Sequence, residues 1–365
     1  MHHTRITSTL LLAVAAGSAS AAPQSIGIRM GENESTIAYD INASGQVAAD
    51  LEDENGIQRA VLFHRGVLTE LGTLGGDFSN TKAINEHGEI VGSAQDKAGH
   101  WRAYLYRRGA MTDLGTLGGA SSFGLAINNH GDAAGFATTT DGQFRAFHVR
   151  DGAMADLGTL GGKNSYASGL NNVGQVVGTA EDGRRFRHAF VWDAARGMRD
   201  LGTLGGRQSS ATAINDAGVI VGTSEMPDRK WHAFVYENGK MVDLGAKIGY
   251  GNSFAKSINS AGHVVGTIAI GPERQTFVWR DGRMAIHYGA YSLYVTNAIN
   301  DTEQVVGATK GKRLEAAVMS ASAIPVIADK GLHHVAMTMG LMIAAAGAFA
   351  VQRRRFQGLN LRSFG

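Results

Sequence analysis

The chain has 365 residues, with 34 Lys or Arg, 32 Asp or Glu and no Cys, so neither a disulfide framework nor a thiolate metal site is available. Five of the 34 basic residues lie in the two terminal segments: Arg5, Arg353, Arg354, Arg355 and Arg362. The rest of the chain therefore has 29 basic and 32 acidic residues. This slightly acidic balance gives no indication of a nucleic-acid partner.

Glycine is abundant and charge is scarce in this sequence. Gly accounts for 50 residues, about twice its usual share of ~7%, and charged residues make up 18% against a typical ~25%. All four prolines lie outside the apolar strand-like stretches, as hydrogen bonding within β-sheets requires. The composition is typical of a β protein with many tight turns.

The N-terminal segment has the features of a secretory signal peptide. Arg5 precedes an apolar stretch from Leu10 to Ala16, and small residues follow up to Ala21. This order predicts a signal peptide over residues 1–22, cleaved after Ala21 or Ala22. The alternative is an apolar N-terminus that is simply frayed.

A repeat of about 43 residues occupies most of the chain. Each copy carries a small residue, Ile or Leu, Asn, two residues, Gly, and then an apolar stretch usually closed by Gly. The spacings of its Asn are 43, 43, 43, 44, 44 and 41, at Asn42, Asn85, Asn128, Asn171, Asn215, Asn259 and Asn300. A fixed period in this range indicates one supersecondary unit copied in tandem.

Each repeat is predicted to contain four antiparallel strands. In one copy the strands are expected within the following segments: 165–171, 175–178, 188–192 and 198–202. The Asn-x-x-Gly and Asp-Gly segments between them are turn signals, because Asn bonds to its own backbone and Gly tolerates positive φ. The sequence therefore predicts an all-β, seven-bladed β-propeller with a domain over residues 23–322.

Small residues alternate along the first strand of each repeat, as at Gly124 and Ala126, which indicates a crowded strand nearest the propeller axis. Phe123, Tyr166 and Phe254 occupy a neighbouring position. We interpret them as core residues; the alternative is that their rings stack on a ligand.

The two ends of the repeat region complement each other. The last repeat stops after a third strand near 316–319, and residues 25–30 lie where a fourth strand belongs. The N-terminal strand is thus predicted to complete the last blade and to leave no unpaired edge. A solenoid is the alternative, but it would require capping repeats.

The recurring motifs resemble those of the HAF family of bacterial extracellular repeat proteins. The similarity covers about residues 25–320 and rests on Asp113 to Gly119, its copies from Asp156 and Asp200, and the His-Ala-Phe segments at His188 and His232. The resemblance implies export, a propeller-like repeat and no established biochemical activity.

The C-terminal segment is expected to be a membrane or sorting helix. After a linker over residues 323–334, Val335 to Val351 is uncharged, and a basic tail over 352–365 follows. Arg353, Arg354 and Arg355 would hold that tail in the cytoplasm. The segment resembles a PEP-CTERM sorting signal without its Pro-Glu-Pro element, which implies an exosortase-type partner; a plain membrane anchor and a buried core helix are the alternatives.

No catalytic, metal or cofactor constellation stands out. The Thr-Leu-Gly-Gly segments lack the helix or Lys of a phosphate-binding loop and are interpreted as connections between blades. The repeated Asp (Asp113, Asp156, Asp200 and Asp243) is interpreted as a structural hydrogen-bonding residue. His188 and His232 align with Arg, Gln and Glu of other repeats, so they are interpreted as polar strand ends and not as metal ligands.

One face of the propeller is expected to carry variable loops and hence the ligand specificity. Tyr250, Tyr288 and Tyr291 break the repeat on this face and form a candidate ligand-binding cluster. Aromatic faces there could bind an extracellular polysaccharide or an envelope protein, with decay of the repeat as the alternative. The sequence thus favours an envelope-associated binding or scaffold module; a polysaccharide hydrolase or lyase with a site at the channel mouth is the competing class.

Overall fold

The computed structural model describes residues 22–28, 33–248, 251–287 and 292–321. Within them the chain forms seven four-stranded antiparallel sheets, arranged as the blades of a β-propeller. The prediction of a seven-bladed all-β propeller is confirmed.

The strands, numbered in chain order, fall into blades as follows. Blades 1 and 2 comprise β2 (Ser35–Ile41), β3 (Val47–Glu52), β4 (Gln58–His64) and β5 (Val67–Glu70), then β6 (Gly75–Ile84), β7 (Ile90–Asp96), β8 (Trp101–Arg107) and β9 (Ala110–Asp113). Blades 3 and 4 comprise β10 (Gly118–Ile127), β11 (Ala133–Thr139), β12 (Phe144–Arg150) and β13 (Ala153–Asp156), then β14 (Gly161–Leu170), β15 (Val176–Asp182), β16 (Arg187–Asp193) and β17 (Gly197–Gly202).

Blades 5 and 6 comprise β18 (Ser209–Ile214), β19 (Ile220–Glu225), β20 (Trp231–Glu237) and β21 (Lys240–Asp243), then β22 (Asn252–Ile258), β23 (Val264–Ile270), β24 (Glu273–Arg280) and β25 (Arg283–His287). Blade 7 comprises β26 (Val295–Ile299), β27 (Gln304–Lys310), β28 (Leu314–Ser320) and β1 (Gln24–Ser25). One 3-10 turn, Gly245–Lys247, follows β21.

Two side chains stabilise the turns of blade 4. In blade 4, the N–H of Gly174 donates to the carbonyl of Asn171, and Gly174 has φ 81°, a value that favours glycine. At the next turn, the Oδ1 atom of Asp182 accepts from the N–H groups of Arg184 and Phe186. Each hairpin is therefore stabilised by one residue that bonds to the backbone of its own turn.

Glycine near the start of the second strand is required by a close approach within the blade. A Cβ added to Gly178 would overlap the carbonyl oxygen of Tyr166 on the first strand and crowd the Phe190 ring. This close approach explains why the repeated apolar stretch usually ends in Gly.

The core lies between adjacent blades. Between blades 4 and 5, Val177, Ala189, Ile214 and Phe234 are buried against one another. Similar clusters fill other interfaces. In blades 2 to 6 the third strand supplies a fully buried aromatic ring: Tyr104, Phe147, Phe190, Phe234 and Phe277. Each blade is held by its two neighbours, so the ring must close for every face to be covered.

The N-terminal strand closes the ring. Gln24 and Ser25 pair with Val318 and Ala317 of β28, and the N–H of Ile26 donates to the carbonyl of Ala316 at 3.1 Å. The predicted closure by the N-terminal strand is confirmed, although the paired strand is two residues long and shorter than residues 25–30. Ile28 is buried in the core between blades 1 and 7 and anchors the segment.

Strand lengths correct one sequence-based expectation. The second strand of blade 4 continues to Asp182 and the third begins at Arg187, so the connection is a hairpin of four residues and not a loop of about nine. The second and third strands stay paired up to Asp182 because the side chain of Asp182 accepts a hydrogen bond from the backbone of the turn that follows. The first strand also begins early, at Gly161, so the Gly-Gly pair already belongs to the sheet.

The signal-cleavage residue Ala21, the segment 335–351 and Arg353, Arg354 and Arg355 lie outside the described residues. Among those described, no helix is both long and apolar enough to cross a membrane.

Candidate functional site

The seven repeated Asn side chains form a closed ring of hydrogen bonds around the propeller axis. Each Nδ2 donates to the backbone carbonyl of the equivalent Asn in the next blade at 3.0–3.3 Å, in the order Asn42, Asn85, Asn128, Asn171, Asn215, Asn259, Asn300 and back to Asn42. All seven are buried. We call this set the amide ring.

The same side chains also shape their own turns. The Oδ1 atom of Asn171 accepts from the N–H of Gln175 at 2.8 Å, while its Nδ2 atom reaches the next blade. Both ends of the amide are thus used, which assigns these residues to the framework of the channel.

An axial channel with a volume of about 380 Å³ runs inside the amide ring. In every blade the pairing of the first strand with the second shifts by one residue, at a bulge three residues before the repeated Asn. The residue at each bulge lines the channel: Tyr39, Lys82, Leu125, Ser168, Thr212, Lys256 and Asn297. Three of these side chains donate to a carbonyl of the next blade: Ser168 to Ala211, Thr212 to Ala255, and Asn297 to Ala38.

A cluster of titratable groups with shifted pKa values lies between blades 1 and 2, with Tyr39 and Lys82 in the channel wall and Asp50 buried beside them. The Nζ atom of Lys82 lies 3.7 Å from the centroid of the Tyr39 ring. The Oδ1 atom of Asp50 accepts from the N–H of Thr81 at 2.7 Å, and its Oδ2 atom accepts from Gln58. Burial raises the pKa of Asp50 to about 6 and, with the Asp50 carboxylate, the pKa of Tyr39 to about 12. Burial lowers the pKa of Lys82.

Asp40 stands in the same wall at a position that other blades fill with Ala, Gly or Ser. Its carboxylate accepts from the N–H of Ile41 and from that of Ile84 in the next blade, both at 2.9 Å. Burial nevertheless raises its pKa to about 7. Sequence reasoning missed Asp40 and Asp50, although each is detectable as an acid at a small or uncharged position of the repeat.

Lys256 also faces the channel, on blade 6. The residue is exposed, yet burial by the surrounding protein and the charge of Arg274 lower the pKa of its side chain. The channel wall therefore carries both signs of charge, with Asp40 and Lys82 on one side.

The opposite end of the channel from the amide ring is the loop face, which carries the connections between second and third strands and between blades. The hairpins between second and third strands contain two to five residues, and the connections between blades contain four or more. Both kinds of connection differ in length and in sequence from blade to blade.

Aromatic rings form a continuous band beneath the loop face across blades 2, 3 and 4. Successive ring centroids lie 4.8–6.5 Å apart, along Phe78, Trp101, Phe123, Phe136 and Tyr166, with Phe144 beside the last two. All six side chains are partly exposed. We call these six residues the aromatic band.

The fold does not require aromatic residues at the centre of this band. Phe136 of blade 3 meets Tyr166 of blade 4 at a ring distance of 5.1 Å. At the equivalent contact between blades 4 and 5, Thr179 Oγ1 and Ser210 Oγ form a 2.6 Å hydrogen bond. Hydroxyl groups thus join one pair of blades where aromatic rings join another.

Phe123, Tyr166 and Phe254, interpreted from the sequence as core residues, are all partly exposed, so that interpretation is wrong. In blades 2 to 6 the fully buried ring comes from the third strand, and the first-strand rings lie at the end of the sheet. Sequence reasoning missed the band because its rings come from several different positions of the repeat.

The remaining sequence-based candidates have structural partners or lie outside the described residues. Tyr250, Tyr288 and Tyr291 belong to the latter group. Asp200 accepts from the N–H of Gly202 at 2.7 Å and contacts His188 Nδ1 at 2.7 Å. In blade 2, Arg102 makes the equivalent contact to Asp113 at 3.0 Å.

No metal-binding group of three or more His, Cys, Asp or Glu side chains occurs among the described residues. The Thr-Leu-Gly-Gly segments use their polar groups for hydrogen bonds within their own turns. The Thr159 hydroxyl accepts from the N–H of Gly161 and donates to the carbonyl of Gly162.

No protein-family model and no curated protein matches this sequence. Among solved structures, the β-propeller domain of the Trilobed protease from Pyrococcus furiosus is similar, with a TM-score of 0.57 and 10% identity over 81% of this chain and 98% of that domain. A puromycin-hydrolyzing peptidase from Mycobacterium tuberculosis is similar with a TM-score of 0.55 and 14% identity, over 80% of this chain and 52% of that one.

The acylaminoacyl peptidase of Pyrococcus horikoshii gives a TM-score of 0.55 and 13% identity, over 86% of this chain and 54% of that one. The chain thus spans about half the length of the two peptidases. At these identities the likeness establishes the fold alone. Fold and site together define a seven-bladed β-propeller with a polar axial channel and an aromatic band at its loop face.

Proposed function

We propose that this protein is an exported propeller that binds an extracellular polysaccharide through the aromatic band. The observation that supports the proposal is that two partly exposed rings in contact, Phe136 and Tyr166, join blades 3 and 4 where a hydroxyl pair joins blades 4 and 5. Rings that the fold can replace with Ser and Thr are available for another purpose.

The chemistry of the band suits sugar rings. A pyranose has an apolar face of C–H groups and a rim of hydroxyls, and an aromatic side chain offers a flat apolar surface beside polar groups. A row of rings at 4.8–6.5 Å spacing is a surface for several successive sugars of one chain. A chain bound across three blades would also be held by their hairpins.

Export and anchoring complete the proposal and rest on the sequence. The signal peptide over residues 1–22 and the helix over 335–351 would place the propeller in the cell envelope, with the membrane and an exosortase-type enzyme as partners. An envelope protein is the other partner class for the same face.

The competing class is a polysaccharide hydrolase or lyase. Its support is a pair of carboxyl groups with raised pKa in blade 1, because such shifts are common at catalytic sites. Asp40, which lines the channel, has a pKa of about 7, and Asp50, which is buried in the same blade, has a pKa of about 6. Both carboxylates already accept two or more hydrogen bonds from the framework, which favours the binding module.

The test is a titration of the purified full chain against a panel of polysaccharides, with mass spectrometry of the products. The variant Phe136→Thr/Tyr166→Ser copies the hydroxyl pair of blades 4 and 5. Losing two stacking rings should weaken binding about tenfold or more, since each ring contributes roughly 0.5–1.5 kcal/mol. Phe254→Ser, a matched change on blade 6, should leave affinity unchanged.

Unchanged affinity in the double variant, with its melting curve retained, would refute the aromatic band as the binding site. Cleaved products would favour the enzyme over the binding module.

A further inference from the structure

The aromatic band ends in arginine. At Tyr166 the guanidinium of Arg187 lies 5.6 Å from the ring centroid. Phe186 directly precedes Arg187, and the guanidinium groups of Arg184 and Arg207 lie 5.5 and 5.7 Å from the centroid of its ring. Arginine stacked on aromatic rings keeps its hydrogen-bonding edge directed outward.

The carboxylates nearest to Arg187 and Arg207 do not pair with the guanidinium groups of these two arginines. Glu181 accepts from the N–H groups of Lys163 and Asn164 and from the Asn164 side chain, so its oxygens serve the blade connection. It attracts Arg187 only at a longer range, since the described residues place no carboxylate within 4 Å of the Arg187 or Arg207 side-chain nitrogens. Both arginines are exposed.

The remaining carboxylate of the hairpin is also occupied. Asp182 pairs with Arg184 at 3.1 Å and accepts from two backbone N–H groups of its turn. Arg185 in the same turn is exposed and adds a further positive charge. The blade 4 end of the band is therefore basic.

The other end of the loop face is acidic. The hairpin of blade 1 presents Glu52, Asp53 and Glu54, and only Asp53 has an ion pair there, with Arg59 at 3.6 Å, among the described residues. Blade 1 precedes blade 2, where the band begins at Phe78 and Trp101. The loop face is thus polarised along the direction of the band.

We propose that the polysaccharide bound by the band is acidic, and that Arg187 and Arg207 bind carboxylate groups of its sugars. This inference rests on the proposed function. Arginine presents planar paired donors that match a carboxylate, and its charge strengthens each hydrogen bond. The acidic hairpin of blade 1 disfavours an anionic chain at the far end, so the bound chain extends from the arginines across blades 3 and 2.

A single-stranded nucleic acid also presents anions and flat rings to such a surface. The acidic hairpin of blade 1 and the net acidic charge outside the two terminal segments favour a polysaccharide with sparser charge.

The test uses the full chain with partially methyl-esterified oligogalacturonate and with its fully methyl-esterified form, which has the same sugar rings without the charge. The acidic oligomer should bind about tenfold tighter, the gain expected from about 1.4 kcal/mol of charge-assisted bonding. Added NaCl should lower the affinity for the acidic oligomer and leave the affinity for the ester unchanged.

Arg187→Gln/Arg207→Gln should remove this preference and leave the affinity for the ester unchanged. Arg65→Gln/Arg108→Gln is the matched control, because these exposed arginines lie in third-to-fourth strand turns on the opposite face and make the same change in net charge.

Equal binding of the acidic oligomer and the ester by the wild type would overturn the acidic preference while the proposed function stands. Binding of no polysaccharide of the panel would overturn both. Tighter binding of oligodeoxythymidylate than of either oligomer would assign the surface to nucleic acid instead.

Discussion

The side-chain amide of Asn300 donates a 3.0 Å hydrogen bond to the backbone carbonyl of Asn42, 258 positions earlier in the chain. This bond is the seventh of the amide ring and joins the last blade to the first near the axis. The pairing of β1 with β28 joins them again further out. Ring closure therefore has two components that can be weakened separately.

Asn171→Asp should lower the free energy of unfolding by about 1–3 kcal/mol, because it removes the donor to Asn215 and leaves a buried carbonyl facing a carboxyl oxygen. Urea unfolding measures the change. Asn55→Asp, the same substitution in an exposed hairpin, should stay within ~0.5 kcal/mol. Equal effects at the two sites would contradict a stabilising amide ring.

Ile26→Pro should weaken the outer closure, because proline lacks the N–H that donates to Ala316. We expect a loss of about 1–3 kcal/mol and some association through the exposed edge of β28, measured by melting and analytical ultracentrifugation. Ile26→Val keeps the N–H and is the control. Deleting residues 22–30 should have a larger effect; a deletion variant that melts like the wild type would exclude the shared blade.

Stability should fall as the pH rises from about 4 to about 7. Folding raises the pKa of Asp50 to about 6 and of Asp40 to about 7, so the folded state holds more protons than the unfolded chain in this range. The stabilising contribution is complete below the ordinary pKa of Asp and is lost as the pH passes the raised values.

Asp40→Asn copies the protonated acid and should flatten this dependence, with its largest relative gain above about pH 7. Urea unfolding across the pH range measures it, with exposed Asp77→Asn as the control. An unchanged pH profile in Asp40→Asn would show that this carboxyl is not the titrating group.

The late tyrosines provide a separate test of the loop face. Changing Tyr250, Tyr288 and Tyr291 together to Ala should reduce polysaccharide binding more than tenfold if they stack on the ligand, at roughly 0.5–1.5 kcal/mol per ring. Titration of wild type and triple variant measures the loss. Full affinity in the triple variant would leave the aromatic band as the only candidate surface of the two.

The C-terminal segment predicts how the full chain distributes in cells. In a Gram-negative host without a sorting enzyme, the full chain should fractionate with membranes, and truncation after Lys330 should release it to the soluble exported fraction. Equal solubility of the two forms would exclude an anchor.

The architecture was predictable because its signals are local and repeated. The Asn-x-x-Gly turns and the period of about 43 residues define the blade, and the missing last strand defines the closure. Strand lengths were less predictable, since β15 extends to Asp182 only because that side chain bonds to its own turn.

The candidate sites depend on contacts between blades and were largely missed. Asp40 bonds to Ile84 of the next blade, and Phe136 meets Tyr166 of the next blade. Neither neighbour can be identified before the blades are placed side by side. The amide ring is similar: the repeated Asn was evident, but its acceptor is a backbone carbonyl of another repeat.

The amide ring has a consequence for how such a chain can grow. Every bond runs from a side chain to a main-chain carbonyl that each unit supplies, so a duplicated unit brings its own donor and acceptor. The amide ring could close with any number of blades, so the number of blades is set by the packing between them and not by this ring. Individual units are then free to diverge at the loop-face ends of their strands, as blades 2 to 4 have done with aromatic side chains, without weakening the amide ring.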